Sequence, residues 1–366
     1  MTRLPAFGTA AALLLLAGCT SLSPPAAAPA AGPVPPAVHP DAVVEEAWIS
    51  AQIPGAGLGA LAVWPTEDGG AWLIATARAA DQLVVLDADT GQTLRTVGGP
   101  GEQPGQFRHP SGIAVWADLA FVVERDNHRV QVLELPDLRP RGFIGADTLK
   151  APSGLWLQET APDELELLVT DGFMADAQAG VLPPRAQMNR RVRRFKVALD
   201  QDGSITATDT GSFGDTGQGG MLRMVGSIAG DPAHDRLLIA EQDQQVGSTL
   251  RDYTLAGHLR GDSLPVFSAA AAGVALWDCD MDSGWWIAVE PLTPTLFRVY
   301  DRASLAPVGT FAGARVSQTD GIVLYAAGTP RFPAGALFAQ HEDRAVAAFD
   351  LRDVAHALQL HGRCLP

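Results

Sequence analysis

Lysine is nearly absent from this chain of 366 residues. Lys150 and Lys196 are the two it has, and 26 basic residues face 41 acidic ones for a formal net charge of −15. Neutralising nucleic-acid phosphates takes a basic face, so this balance excludes a nucleic-acid binder. It suits divalent cations or plain solubility instead. Cysteine is scarce as well, and Cys19, Cys279 and Cys364 have no metal-site spacing. No serine-nucleophile elbow, zinc motif or phosphate loop stands out. The glycine-rich stretch from Gly214 to Gly220 lacks the Lys-Ser/Thr ending of a P-loop and reads as a flexible turn. Long apolar runs are missing too: "AALLLLAGC" follows a single basic residue, Arg3, and is too short to span a bilayer, which describes a secretory signal.

The end of that run carries more. Leu16-Ala17-Gly18-Cys19 resembles a bacterial lipobox, in which the cysteine is lipidated and becomes the first residue of the mature chain. Thr20 follows, where Asp is that family's usual signal for inner-membrane retention. The resemblance therefore implies a signal peptide over 1–18 and a lipid anchor on Cys19 at the outer membrane. "TSLSPPAAAPAAGPVPPAVHP" comes next; its Pro, Ala and Ser cannot bury a core, so 19–40 reads as an extended tether and 41–366 as the folded part. With Cys19 given to lipid, Cys279 and Cys364 remain in an oxidising compartment, where a disulfide tying the C-terminus to a late strand is expected.

Within 41–366 one phrase recurs six times: a small residue, an apolar run, a gap, a second apolar run, a polar turn and a third run. The openings are "ALAVW" at Ala60, "GIAVW" at Gly112, "GLWLQ" at Gly154, "SIAGD" at Ser227, "GVALW" at Gly273 and "GIVLY" at Gly321. The second runs are "WLIATA", "LAFVVE", "LELLVTD", "RLLIAE", "WWIAVE" and "ALFAQH", followed by third runs such as "LVVLD", "VQVLE" and "FRVYD". Short, β-branched and bounded by turn residues, these are strands. Weaker fourth runs such as "TLRTVG" and "APVGTFAG" follow in four units, and the sixth unit has none. "VVEEAWIS", from Val43 to Ser50, is left over; a strand from the N-terminus completing the last blade would close a ring and remove the sheet edge. The expected fold is an all-β, six-bladed propeller of four-stranded blades. The third unit also holds "FMADAQAGVLPPRAQMNRR", expected as an exposed loop at one end of the channel.

In such a ring the loops after the second strands share a mouth with the loops leading into each blade. The residues ending the second runs are Ala77, Glu124, Asp171, Glu241, Glu290 and His341. The incoming loops add Asp320, His109, Lys150 and Arg223, and Arg78 and Arg125 follow the ring directly. Converging carboxylates repel unless a cation or protons neutralise them, and hard oxygen donors favour calcium. Glu124, Asp171, Glu241, Glu290 and Asp320 are thus candidate calcium ligands. Each acid singly also fits a structural role, accepting backbone hydrogen bonds in the following turn. His341 reads as a hydrogen-bonded turn residue.

Two resemblances sharpen this picture. "PGEQPGQFRHPSGIAVWADLAFVVERDNHRVQVLEL" resembles the NHL repeat through Pro104-Gly105-Gln106-Phe107, Pro110, Gly112 to Val115, Asn127, Arg129 and Val130. That repeat specifies a blade and says little about chemistry. The last three units resemble β-propeller phytases: "RLLIAEQDQQ", then "SGWWIAVEPLTPTLFRVYDRASLAPVGTFAG", then Thr319-Asp320-Gly321-Ile322 with Phe332-Pro333 and Leu337-Phe338. This resemblance implies a calcium-dependent phosphohydrolase acting on phytate or a similar phosphorylated substrate. Glu241 and Asp320 would be its catalytic acids, and Arg78, Arg125, Lys150 and Arg223 would hold phosphate. Against the family pattern, the first unit reads "GALAVW" and lacks an acid pair, and the paired Glu of the fourth unit is reduced to Glu241-Gln242. The alternative is a non-catalytic propeller of NHL type that binds an envelope protein or glycan, for which exposed aromatics at the mouth, such as Trp285 or Trp286, would speak. A gluconolactonase-type lactonase, a third reading, needs an Asn at the metal, and none is suitably placed. In each case a monomer, attached to the membrane by its lipid alone, is expected.

Overall fold

The computed structural model describes residues 1, 39–200, 203–217, 219–261 and 264–361. The signal, nearly all of the tether, Cys19 and Cys364 lie outside the described residues, and with them the lipidation and the disulfide pairing of Cys279 with Cys364.

Residues from His39 onward form one compact unit of six sheets, one for each recurring phrase and antiparallel within it. The first blade pairs Leu58–Pro65, Ala71–Ala77, Gln82–Asp87 and Thr93–Gly98 in chain order. The second repeats this with Pro110–Trp116, Leu119–Glu124, Arg129–Glu134 and Arg139–Ile144. The innermost strand of each blade touches the next around the ring, and that of the sixth blade, Ile322–Tyr325, touches Leu58–Pro65 of the first. The propeller is closed.

The small residue that opens each phrase follows from this closure. A Cβ placed on Gly112 would come within 2.6 Å of the Ser153 carbonyl oxygen in the next blade, and one on Gly321 within 2.2 Å of the Gly59 oxygen. Backbones approach backbones around the axis, and at these positions glycine leaves the room. The apolar runs bury between blades rather than at one centre. Ile74, Leu83 and Val85 of the first blade pack with Ile113, Val122 and Leu133 of the second, and a comparable cluster fills each of the remaining blade interfaces.

Two blades depart from the expected four-strand pattern. The segment at Val43 to Ser50 does not serve the sixth blade alone. Ala42–Val44 pairs in parallel with Pro307–Gly313 of the fifth blade, and Trp48–Ile49 pairs antiparallel with the outer strand of the sixth, Ala345–Asp350. Glu46 makes the crossing: its carboxylate accepts from the Arg315 and Val316 amides (2.8 and 2.7 Å) in the loop between those blades. The N-terminal segment thus clasps two blades at once. The fourth blade has three strands, Val225–Asp231, Arg236–Glu241 and Thr249–Tyr253. Along its outer edge Arg260, Leu264 and Phe267 still donate to Asp252, Leu250 and Ser248, but the spacing is irregular, and Pro265 has no amide to continue a ladder.

Candidate functional site

The six second strands end where expected, and five of their last residues share a task. Glu124 accepts from the Arg108 amide, Asp171 from the Lys150 and Ala151 amides, Glu241 from the Arg223 and Met224 amides, and Glu290 from the Ala269 amide. In each case the donor lies in the loop leading into the same blade. His341 does likewise, with Nδ1 accepting from the Ser317 amide at 3.1 Å. A side-chain acceptor therefore fastens the incoming loop to the second strand in five of six blades. The first blade has Ala77 at this position, and there the Arg78 amide donates to the Gly57 carbonyl.

The four acids of this ring are buried, each within its own blade. Glu124 is also bound by Arg129 Nε (2.7 Å), Gln131 Nε2 (3.0 Å) and Asn127 Nδ2. Burial drives the Asp171 and Glu241 carboxyls above the usual carboxylate range, although backbone amides pull each back. Burial would raise Glu290 too, but Ser268, Arg298 and the Ala269 amide together hold it below its ordinary value. Among the described residues no group of three or more His, Cys, Asp or Glu side chains is placed to share a metal ion.

Asp320 is different. It stands at the mouth, 47% exposed, and accepts from both terminal nitrogens of Arg78 at 3.2 Å. Arg78 also donates to Asp343 Oδ1 at 2.8 Å and to the Leu58 carbonyl at 3.3 Å. Asp320 comes from the incoming loop of the sixth blade, Asp343 from the turn after its second strand, and Arg78 from the first blade. The three ionic groups bridge the seam where the ring closes. Nothing local in the sequence marks Asp343 as a partner of Arg78, 265 positions away.

The remaining basic candidates are dispersed. Arg125 grips its neighbour Asp126 (2.7 Å), Lys150 lies 4.9 Å over the Phe173 ring, and Arg223 Nε reaches Asp243 at 2.5 Å. His109 is held below its ordinary value by burial and by the nearby Arg125. Trp285 and Trp286 are both buried.

Behind the Arg78 cluster lies a cavity of about 610 Å³ in the central channel. Ile113, Leu155, Ile228 and Val274 supply apolar walls from four blades, while Arg78, Asp320 and Gln242 stand among its polar lining. No aromatic ring lines it among the described residues. Such a size and such a mixture suit a small ligand or an inserted side chain.

Residues 107–133 match the NHL repeat family, covering the second blade up to its third strand. No curated protein sequence matches the chain. Among solved structures the chain is similar to one titled Kuenenia stuttgartiensis Hydrazine Synthase, at 11% identity and a TM-score of 0.47 over 86% of this chain and 82% of that one.

Proposed function

We propose that this propeller is a non-catalytic binding module whose channel mouth receives an apolar side chain, with its adjoining polar backbone, from a protein partner. One observation carries the reading: the rim acids of four blades are buried acceptors for their own incoming loops, while an open cavity of mixed apolar and polar lining remains at the axis. A lining that mixes branched apolar side chains with serines and backbone polar groups, and that holds no aromatic ring among the described residues, favours a peptide segment over a sugar, which would call for exposed rings. If the lipobox acts as its resemblance implies, Cys19 anchors the protein at the outer membrane, and the partner is an envelope protein.

The calcium-dependent phosphohydrolase suggested by the phytase resemblance fits this donor set poorly. Glu124, Asp171, Glu241 and Glu290 have their oxygens engaged inside separate blades. Asp320 and Asp343 already share a cation, the Arg78 guanidinium, which stands between them where a metal would be needed. A calcium ion would have to displace that guanidinium.

The test has two arms. The lipid-free protein is selected against a random peptide library, and the best binders are measured again on Ala270→Trp, which fills the cavity rim, and on Arg139→Gln, an outer-strand control. Binding lost in the first variant and kept in the second supports the channel. In parallel, phosphate release from phytate is followed with calcium and with a chelator. Calcium-dependent release by folded protein, lost in Asp320→Asn, would overturn the binding reading in favour of a hydrolase.

A further inference from the structure

A second cavity, of about 470 Å³, opens beside the fourth blade, where the missing outer strand leaves the edge irregular. Its charge is of one sign. Arg185 from the insertion of the third blade, Arg223 from the incoming loop and Arg251 from the outer strand all line it, and no described acid does. Arg185 Nε donates to the Thr216 carbonyl and Arg223 Nε to Asp243. Both guanidiniums are thereby aimed by one nitrogen, and their terminal nitrogens make no hydrogen bond to any described residue. Arg223 is half of an ion pair with Asp243, whereas Arg185 has no acidic partner among the described residues, so the wall keeps an excess of positive charge. An oxyanion there offsets that excess, a doubly charged one more than a singly charged one. The guanidinium fork also matches an oxyanion with two parallel hydrogen bonds.

The rest of the wall is apolar. Val246 is 47% exposed and Val266 62% exposed, and both line this cavity. Two branched side chains left in water beside an arginine cluster offer a surface for the uncharged part of the same ligand.

We infer that this cavity is a binding site for an organic dianion: a compact phosphate- or phosphonate-like head held by the terminal nitrogens of Arg185 and Arg223, with Arg251 lining the same space, on an apolar stem lying across Val246 and Val266. It is separate from the axial channel and stands or falls independently of the peptide reading.

Titration calorimetry at low salt tests it with three probes: phenylphosphonate, phenylacetate and inorganic phosphate. Saturable binding of phenylphosphonate is expected, about tenfold tighter than phenylacetate and also tighter than inorganic phosphate. Arg185→Gln, at an exposed position where folding is not at stake, should weaken phenylphosphonate about tenfold, while Arg139→Gln leaves it unchanged. Val266→Ser should reduce the advantage over inorganic phosphate. No saturable binding, equal affinity for the monoanion, or indifference to Arg185→Gln would each overturn the assignment.

Discussion

The second and fourth blades make the most instructive pair. The second follows the repeat closely: four strands, an NHL match, and an acid whose oxygens are bound by Arg129, Gln131, Asn127 and an amide. The fourth has three strands, a proline-interrupted edge and an arginine-lined cavity. Its acid, Glu241, accepts from the amides of Arg223, Met224 and Asp243 and feels the charge of Arg251. Regular sequence here marks regular structure, with both oxygens of its acid engaged. Departures from the repeat are where space and uncommitted hydrogen-bonding groups accumulate.

The comparison should break most visibly at the acids. Glu124→Gln leaves the buried Arg129 without its counter-charge and should cost about 3 kcal/mol. Glu241→Gln, which keeps one acceptor oxygen for backbone donors, should cost about 1 kcal/mol. Urea denaturation of the two variants checks the order; equal losses would mean that the fourth-blade acid carries a comparable ionic load.

A second contrast concerns the axis. Alanine at Gly112 would meet the fixed Ser153 carbonyl at 2.6 Å, whereas at Gly226 it would meet the side-chain amide of Gln242 at 2.7 Å. A backbone atom cannot yield without shifting the next blade, but a side chain can turn. Gly112→Ala should therefore lose about 2 kcal/mol and Gly226→Ala well under about 1 kcal/mol, read from melting temperatures.

The third contrast is in pH dependence. Glu241 is raised above its ordinary 4.5 in the folded protein, so the native state binds its proton more tightly than the unfolded chain does. Its contribution is full below the ordinary value and is lost as pH rises through the raised one. Glu290 is lowered from the same 4.5, so its contribution is full above that value and is lost as pH falls through the lowered one. Across a titration from about pH 3.5 to about pH 7, the gap between wild type and Glu241→Gln should narrow, while that between wild type and Glu290→Gln should widen. Parallel gaps would refute the opposed shifts.

The smallest effect is expected at the rim. Arg125 and Asp126 are about half exposed and adjacent in sequence. Arg125→Gln should change stability by less than about 0.5 kcal/mol, since exposed pairs gain little over their separately hydrated ions. A larger loss would give the rim of the second blade a structural part that its geometry does not indicate.

The ring of acceptors shows how far the repeat could be read. Glu124, Asp171, Glu241, Glu290 and His341 were all identifiable by position, because each closes the second apolar run of its unit. Their partners were not, since amides in an incoming loop carry no side-chain signature. The division of the Val43 to Ser50 segment between two blades was hidden for a related reason. It depends on Glu46 finding the Arg315 and Val316 amides, which no local pattern announces. The absent strand of the fourth blade had a local cue in Pro265, but one proline cannot tell a broken strand from a shifted one.

Sequence alone determined the six blades, their strands and the glycines at the axis, because alternating apolar runs and small residues report directly on burial and close backbone approach. Tertiary structure alone decided which charges meet. Arg78 joins Asp320 and Asp343 across the closing seam, and Arg185, Arg223 and Arg251 gather beside the fourth blade. Coulomb interactions act through space, so these groups, far apart along the chain, are brought together only by the fold.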